Sequence, residues 1–183
     1  MNRQNPPNWS YNPSDWSQRV PIVALALIGF AIASYLALYQ WRVIDAVWDP
    51  FFGEGSVTVL NSKVSRILPI PDAALGALGY LADAVTGVIG GRDRWRRMPW
   101  IVIVFALAVG PLGATSILLV ILQPVVYGAW CTLCLASALV SIVMIGPAMD
   151  ELLASLQFIK RERDAGRSTW HAFRGTTASL STT

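Results

Sequence analysis

Apolar positions along this chain fall in long uninterrupted blocks, without the short alternation of a half-buried strand or the striped face of a soluble helix. Three stretches are almost free of charge: Val20 to Trp41, Ala73 to Gly91 broken only by Asp83, and Met98 to Met149. A helix needs about 20 apolar residues to cross the hydrocarbon core, so the last stretch is long enough for two passes. Gln123-Pro124 and Tyr127-Gly128 supply the turn between them. The pattern predicts an all-α membrane protein with a bundle of four transmembrane helices.

Outside these blocks the pattern changes. Residues 1–19 are rich in Asn, Pro, Ser and Trp and read as an irregular tail. Ala31-Ile32-Ala33 resembles a signal-peptidase site, but the apolar run continues past it to Tyr39, which favours an uncleaved first span. The loop from Val43 to Asp72 carries Asp49-Pro50, Gly53, Gly55, Pro69 and Pro71, and its length marks it as functional. After the fourth predicted span, residues 150–163 place Leu152, Leu153, Leu156 and Ile159 at helical spacing, with acidic residues first and basic residues last. Two readings fit: an amphipathic helix on the inner leaflet, or a solvated extension of the fourth helix. Residues 164–183 read as disordered, and they hold the only histidine, His171. The expected organisation is thus a tail over 1–19, a membrane domain over 20–149, an amphipathic cytoplasmic helix over 150–163 and a tail over 164–183.

Composition agrees with a lipid solvent, since 54% of the 183 residues are hydrophobic and only 14% charged. Charge also orients the chain, because basic loops stay on the cytoplasmic side. Arg3 and Arg19 precede the first span; Arg92, Arg94, Arg96 and Arg97 lie between the second and third; Lys160, Arg161, Arg163, Arg167 and Arg174 follow the fourth. The other side has Arg42, Lys63 and Arg66 beside Asp45, Asp49, Glu54 and Asp72. Both termini are therefore expected in the cytoplasm. Tyr39, Trp41, Trp48, Tyr127 and Trp130 would mark the outer interface, and Trp95 and Trp100 the inner one. The net charge of +3 is read as a topology signal and not as nucleic-acid affinity.

Candidate chemistry concentrates at Ala129-Trp130-Cys131-Thr132-Leu133-Cys134, where the chain's two cysteines stand one helical turn apart at the start of the fourth span. That spacing lets them close a disulfide at a helix N-terminus, where unpaired backbone N–H groups favour a thiolate. On the outer side such a pair can exchange with external thiols and face an acceptor dissolved in lipid. The competing reading is structural, with two cysteines packed as small hydrophobes. A metal site is not expected, because two thiolates and the distant His171 do not complete a tetrahedral shell. Asp83 is read as belonging to a solvated inner helix end, with a proton path as the rival role. No repeat, Gly-rich phosphate loop or nucleophile elbow is present.

Three blocks in order resemble the bacterial vitamin K epoxide reductase homologues: Val59-Leu60-Asn61-Ser62-Lys63-Val64-Ser65-Arg66; Leu68-Pro69-Ile70-Pro71-Asp72-Ala73-Ala74-Leu75-Gly76 leading to Tyr80; and Cys131-Thr132-Leu133-Cys134. The likeness spans Val20 to Pro147. It implies a four-helix bundle in the bacterial cytoplasmic membrane, enclosing a quinone (ubiquinone or menaquinone) near the outer surface. By the same likeness Cys134 lies nearest the quinone and Cys131 exchanges with thiols, while Ser62, Asp72 and Tyr80 contribute to the quinone site. Asp72 stands where the family usually has asparagine, and a carboxylate there donates no hydrogen bond unless protonated. Active relatives carry two further loop cysteines; here Ser56 aligns with the second, and the first has no counterpart. The resemblance therefore implies a membrane thiol:quinone oxidoreductase supplied by an extracytoplasmic thioredoxin-like protein or another thiol donor. The alternative is a non-catalytic quinone- or lipid-binding membrane module.

Overall fold

The computed structural model describes residues 5–62 and 70–175, and all of its regular structure is helical. The segment 63–69, which includes Lys63, Arg66 and parts of two of the family-like blocks, lies outside the described residues, as does 176–183 of the expected tail. Helix α1 runs Trp16–Gln40, α2 Gly55–Leu60, α3 Asp72–Val88, α4 Arg94–Arg97, α5 Pro99–Leu122, α6 Thr132–Asp164 and α7 Thr169–Arg174. A π-helical turn, Gln123–Tyr127, continues α5 and stops at Gly128, whose positive φ of 59° turns the chain toward α6.

Three helical segments are long and apolar enough to cross a membrane: Trp16–Gln40, Pro99–Tyr127 and Thr132–Asp164. The remaining predicted span is α3, which at 17 residues covers about 25 Å, somewhat less than the hydrocarbon thickness. By contrast α6, with 33 residues, extends about 50 Å and must project beyond the lipid. Residues 150–163 are thus a direct continuation of that helix.

Helix α1 packs along α3, α5 along α6, and the two pairs close on each other through α1 with α6 and α3 with α5. Their contact faces are built from small residues, Ala26, Ala33, Ala37, Ala77, Ala84 and Ala138, around Tyr80, Phe105 and Met144. Small side chains allow the close backbone approach on which packing in lipid depends. At Gly29 a Cβ would fall 2.5 Å from the Tyr80 ring, so only glycine admits the tyrosine between α1 and α3. Large apolar residues such as Leu27, Ile28, Leu107, Leu118 and Leu139 point outward, as expected where the surrounding solvent is lipid.

Several expectations at the basic end of the bundle are corrected. Residues 16–19 belong to α1, which Asp15 caps by accepting from the Ser17 N–H. The preceding segment is docked: Asn12, Pro13 and Ser14 are buried, Trp9 bonds Gln157 at 3.0 Å and Tyr11 bonds Asp150 at 2.6 Å. Arg19 and Arg94, read as loop cations, are buried and donate to the carbonyls of Gly87 and Ile89 at the end of α3. Arg94 also forms a two-pronged ion pair with Glu151, to which Ser14 donates as well. Cations at a helix C-terminus complement its exposed carbonyls. Within the expected disordered tail, Thr169–Arg174 forms α7 and contains His171 on an exposed face.

Candidate active site

Cys131 is the N-cap of α6: its extended backbone ends the turn after α5, and its sulfur accepts from the Cys134 N–H at 3.1 Å. The two cysteines are joined in a disulfide with their Cα atoms 5.2 Å apart. Exposure differs between them. Cys131 is 0% accessible, whereas Cys134 is half-buried and lines a cavity inside the bundle.

Two side chains missed by the sequence reading hold this cap. Gln123, read only as turn punctuation, is buried, and its Oε1 accepts from the Cys131 N–H at 2.9 Å. Asp49, read as one of several loop acids, accepts from the Thr132 hydroxyl and N–H, from Ser56 Oγ at 2.7 Å and from the backbone of Phe51 and Phe52. One carboxylate thereby ties the start of α2 to the start of α6. The approach is close enough that a Cβ at Gly55 would meet the Trp130 carbonyl oxygen at 2.0 Å. Ser56, in the place of the absent loop cysteine, is fully buried in this clasp.

The cavity has a volume of about 690 Å³ and lies among α1, α3, α5 and α6, with Leu60 of α2 at its edge. Its wall is mostly aliphatic, from residues such as Leu36, Leu75, Leu112 and Leu119, with polar groups at a few points. Size and lining match a site for a small, largely apolar ligand. Tyr80 reaches it from α3, and its hydroxyl donates to the Ser137 carbonyl at 2.6 Å while lying 2.6 Å from Ser141 Oγ. Asp72 also lines the cavity, where its Oδ1 accepts from Gln40 Nε2 at 2.6 Å. The structure therefore brings Asp72, Tyr80 and Cys134 to one cavity. Ser62, half-buried just beyond α2, is not among the described residues that line it.

Asp83 departs from expectation. It sits one turn below Tyr80 on α3, is 0% accessible, and neither carboxylate oxygen has a hydrogen-bond partner among the described residues. It is not part of a solvated helix end. Among the described residues no group of three or more metal-binding side chains occurs.

Residues 20–148 match the model of the vitamin K epoxide reductase family. No curated protein and no solved structure matches the chain.

Proposed function

The chain belongs to the vitamin K epoxide reductase family, matched over residues 20–148, and from that premise we propose that Cys131 and Cys134 form the dithiol of a membrane thiol:quinone oxidoreductase. In general this family comprises membrane proteins that couple thiol oxidation to quinones. The observation that carries the proposal here is the opening of Cys134 onto the 690 Å³ cavity. A quinone bound there accepts two electrons and two protons, and it supplies the oxidising power for the reaction.

Everything else is done by the chain. Both thiols lose their protons and one electron each as the Cys131–Cys134 bond forms, which balances the acceptor's demand. Cys134, on the cavity side, is the thiol that meets the acceptor; Cys131, under the Asp49 clasp, is the one that external thiols regenerate. Its complete burial means that a thiol donor reaches it only after the chain around it opens locally. The N-terminus of α6 favours the thiolate that each exchange needs. Tyr80 and Asp72 shape the quinone site, Ser62 supports it from the loop, and the aliphatic wall excludes water.

The same reading completes the topology. Helix α3 is the fourth crossing, both termini and the Arg-rich end are cytoplasmic, and the disulfide lies near the outer face of a bacterial inner membrane. The membrane domain is 20–149. An extracytoplasmic thioredoxin-like protein, or another dithiol, takes the place of the missing loop cysteines. A second reading, a non-catalytic quinone- or lipid-binding module, is favoured by the burial of Cys131. The two separate cleanly: with a small dithiol donor, Cys131→Ser and Cys134→Ser each abolish quinone reduction by the purified protein on the first reading. Equal rates in the native protein and both variants would reject the catalytic role.

A further inference from the structure

The polar groups around the cavity differ in what they have left to offer a ligand. A quinone carbonyl needs a hydrogen-bond donor. Asp72 already acts as an acceptor toward Gln40 and Ala73. The single hydroxyl hydrogen of Tyr80 goes to the Ser137 carbonyl, and that of Ser116 to the Leu112 carbonyl at 2.8 Å. Thr115 and Ser137 also bring hydroxyls to the wall, but Gln123 alone among the described lining donors is bonded to the backbone of the cysteine cap. It lines the cavity and is only 1% accessible. The Cys131 N–H can bond only to an oxygen, which fixes Oε1 toward the cap and leaves the Nε2 amino group as the free end. Gln123 accepts at Oε1, and no hydrogen bond from its amino group is found among the described residues.

We infer that Gln123 donates the hydrogen bond that holds a carbonyl oxygen of the bound quinone beside the Cys131–Cys134 pair. The inference rests on the quinone reading of the cavity and adds the residue that orients the ligand. Gln123 is suited to that work because its other end is bonded to the backbone of Cys131, so donor and disulfide are held in one frame. It lies at the start of a π-helical turn, an irregularity frequent at functional sites. It also answers a deficit at Asp72, where a carboxylate stands in place of an amide donor. An amino group bonds a carbonyl oxygen more strongly than the oxygen of a quinol hydroxyl, so the contact favours the oxidised form and weakens once the quinone is reduced.

Gln123→Glu tests this in the purified full-length protein. The variant keeps an oxygen for the Cys131 N–H and replaces the amino group by a second carboxylate oxygen. Binding of a short-chain benzoquinone is read by quenching of tryptophan fluorescence, and turnover is read with a dithiol donor. At neutral pH the variant is expected to bind the quinone about tenfold more weakly, with disulfide formation and thermal unfolding as in the native protein. Acidification should restore binding as the new carboxyl gains a proton and becomes a donor, whereas Gln123→Leu should stay weak at every pH. Asp72, Tyr80 and Cys134, the other titratable groups lining the cavity, are common to all three proteins, so the comparison isolates position 123. Native-like binding by the Glu variant at neutral pH, or a loss equal at all pH values, would overturn the assignment. If the native protein neither binds nor reduces the quinone, the proposed function itself falls. If it does both and the Glu variant is unchanged, the assignment of Gln123 alone falls.

Discussion

Burial pushes the Asp49 carboxyl up, and hydrogen bonds from Ser56, Thr132 and the backbone N–H groups of Phe52 and Phe51 pull it down further, to well below the usual carboxylate range. A lowered value in the folded protein means that the stabilisation is present above the unfolded carboxylate value of about 3.9 and is lost as pH falls through the folded one. The clasp over Cys131 should therefore hold through neutral and mildly acidic conditions and fail only in strong acid. Asp49→Ala is expected to speed reduction of the Cys131–Cys134 disulfide by a water-soluble phosphine several-fold near pH 7. The ratio of variant to native rates should stay constant down to mildly acidic pH and approach one in strong acid. A ratio of one at neutral pH would show that Asp49 does not guard the cysteine. Cys131, Cys134, Tyr80 and Asp72 were marked in the sequence by a redox spacing and family-like blocks, and all but Cys131 line one cavity. Asp49 and Gln123 were not marked, because each acts on a residue far along the chain, and neither hydropathy nor spacing records such a partnership.

At the scale of elements, apolar run length located α1, α5 and α6, and it missed what polar contacts decide. Helix α1 begins at Trp16, ahead of the apolar block, because Asp15 caps it and Arg19 finds four carbonyl contacts at the end of α3. Charge counting read Arg94 as a loop cation, yet Arg94 and Glu151 are each 1% accessible and bind one another across α4 and α6. Such a pair contributes little over a well-packed apolar pair, but removing one partner strands the other charge. Glu151→Ala should thus destabilise the protein by about 3–5 kcal/mol, read as a lowered midpoint of thermal unfolding, while Arg94→Met with Glu151→Leu should recover much of the loss. A fall of less than about 1 kcal/mol in the single variant would mean that water or a neighbouring group already compensates Arg94. The extension of α6 past the lipid follows from the same end of the molecule, where Trp9, Tyr11 and Ser14 dock on Gln157, Asp150 and Glu151.

For the molecule as a whole, the two ends do different work. The Arg-rich end is closed by the buried Arg94–Glu151 pair and by the carbonyls that Arg19 and Arg94 cap, which fix how α1, α3 and α6 meet. At the opposite end Asp49 and Gln123 hold the start of α6 around a disulfide whose second cysteine lines a large, mostly apolar cavity. On the proposed function, a thiol would approach the cysteine pair from this end and a lipid-soluble acceptor from the cavity. Charge counting separated the Arg-rich end from the cysteine end, and the family resemblance implied an enclosed ligand; the small residues Ala33, Gly76 and Gly79 on α1 and α3, which line the cavity, are not marked as a wall by hydropathy. On the proposed function, electrons pass from the cysteine pair to a quinone in that cavity. That transfer is tested most directly by reducing the purified protein, removing the reductant, adding one equivalent of a short-chain quinone and trapping free thiols by alkylation. One Cys131–Cys134 disulfide should appear for each quinol formed; thiols that stay fully alkylatable in the presence of quinone would rule the transfer out.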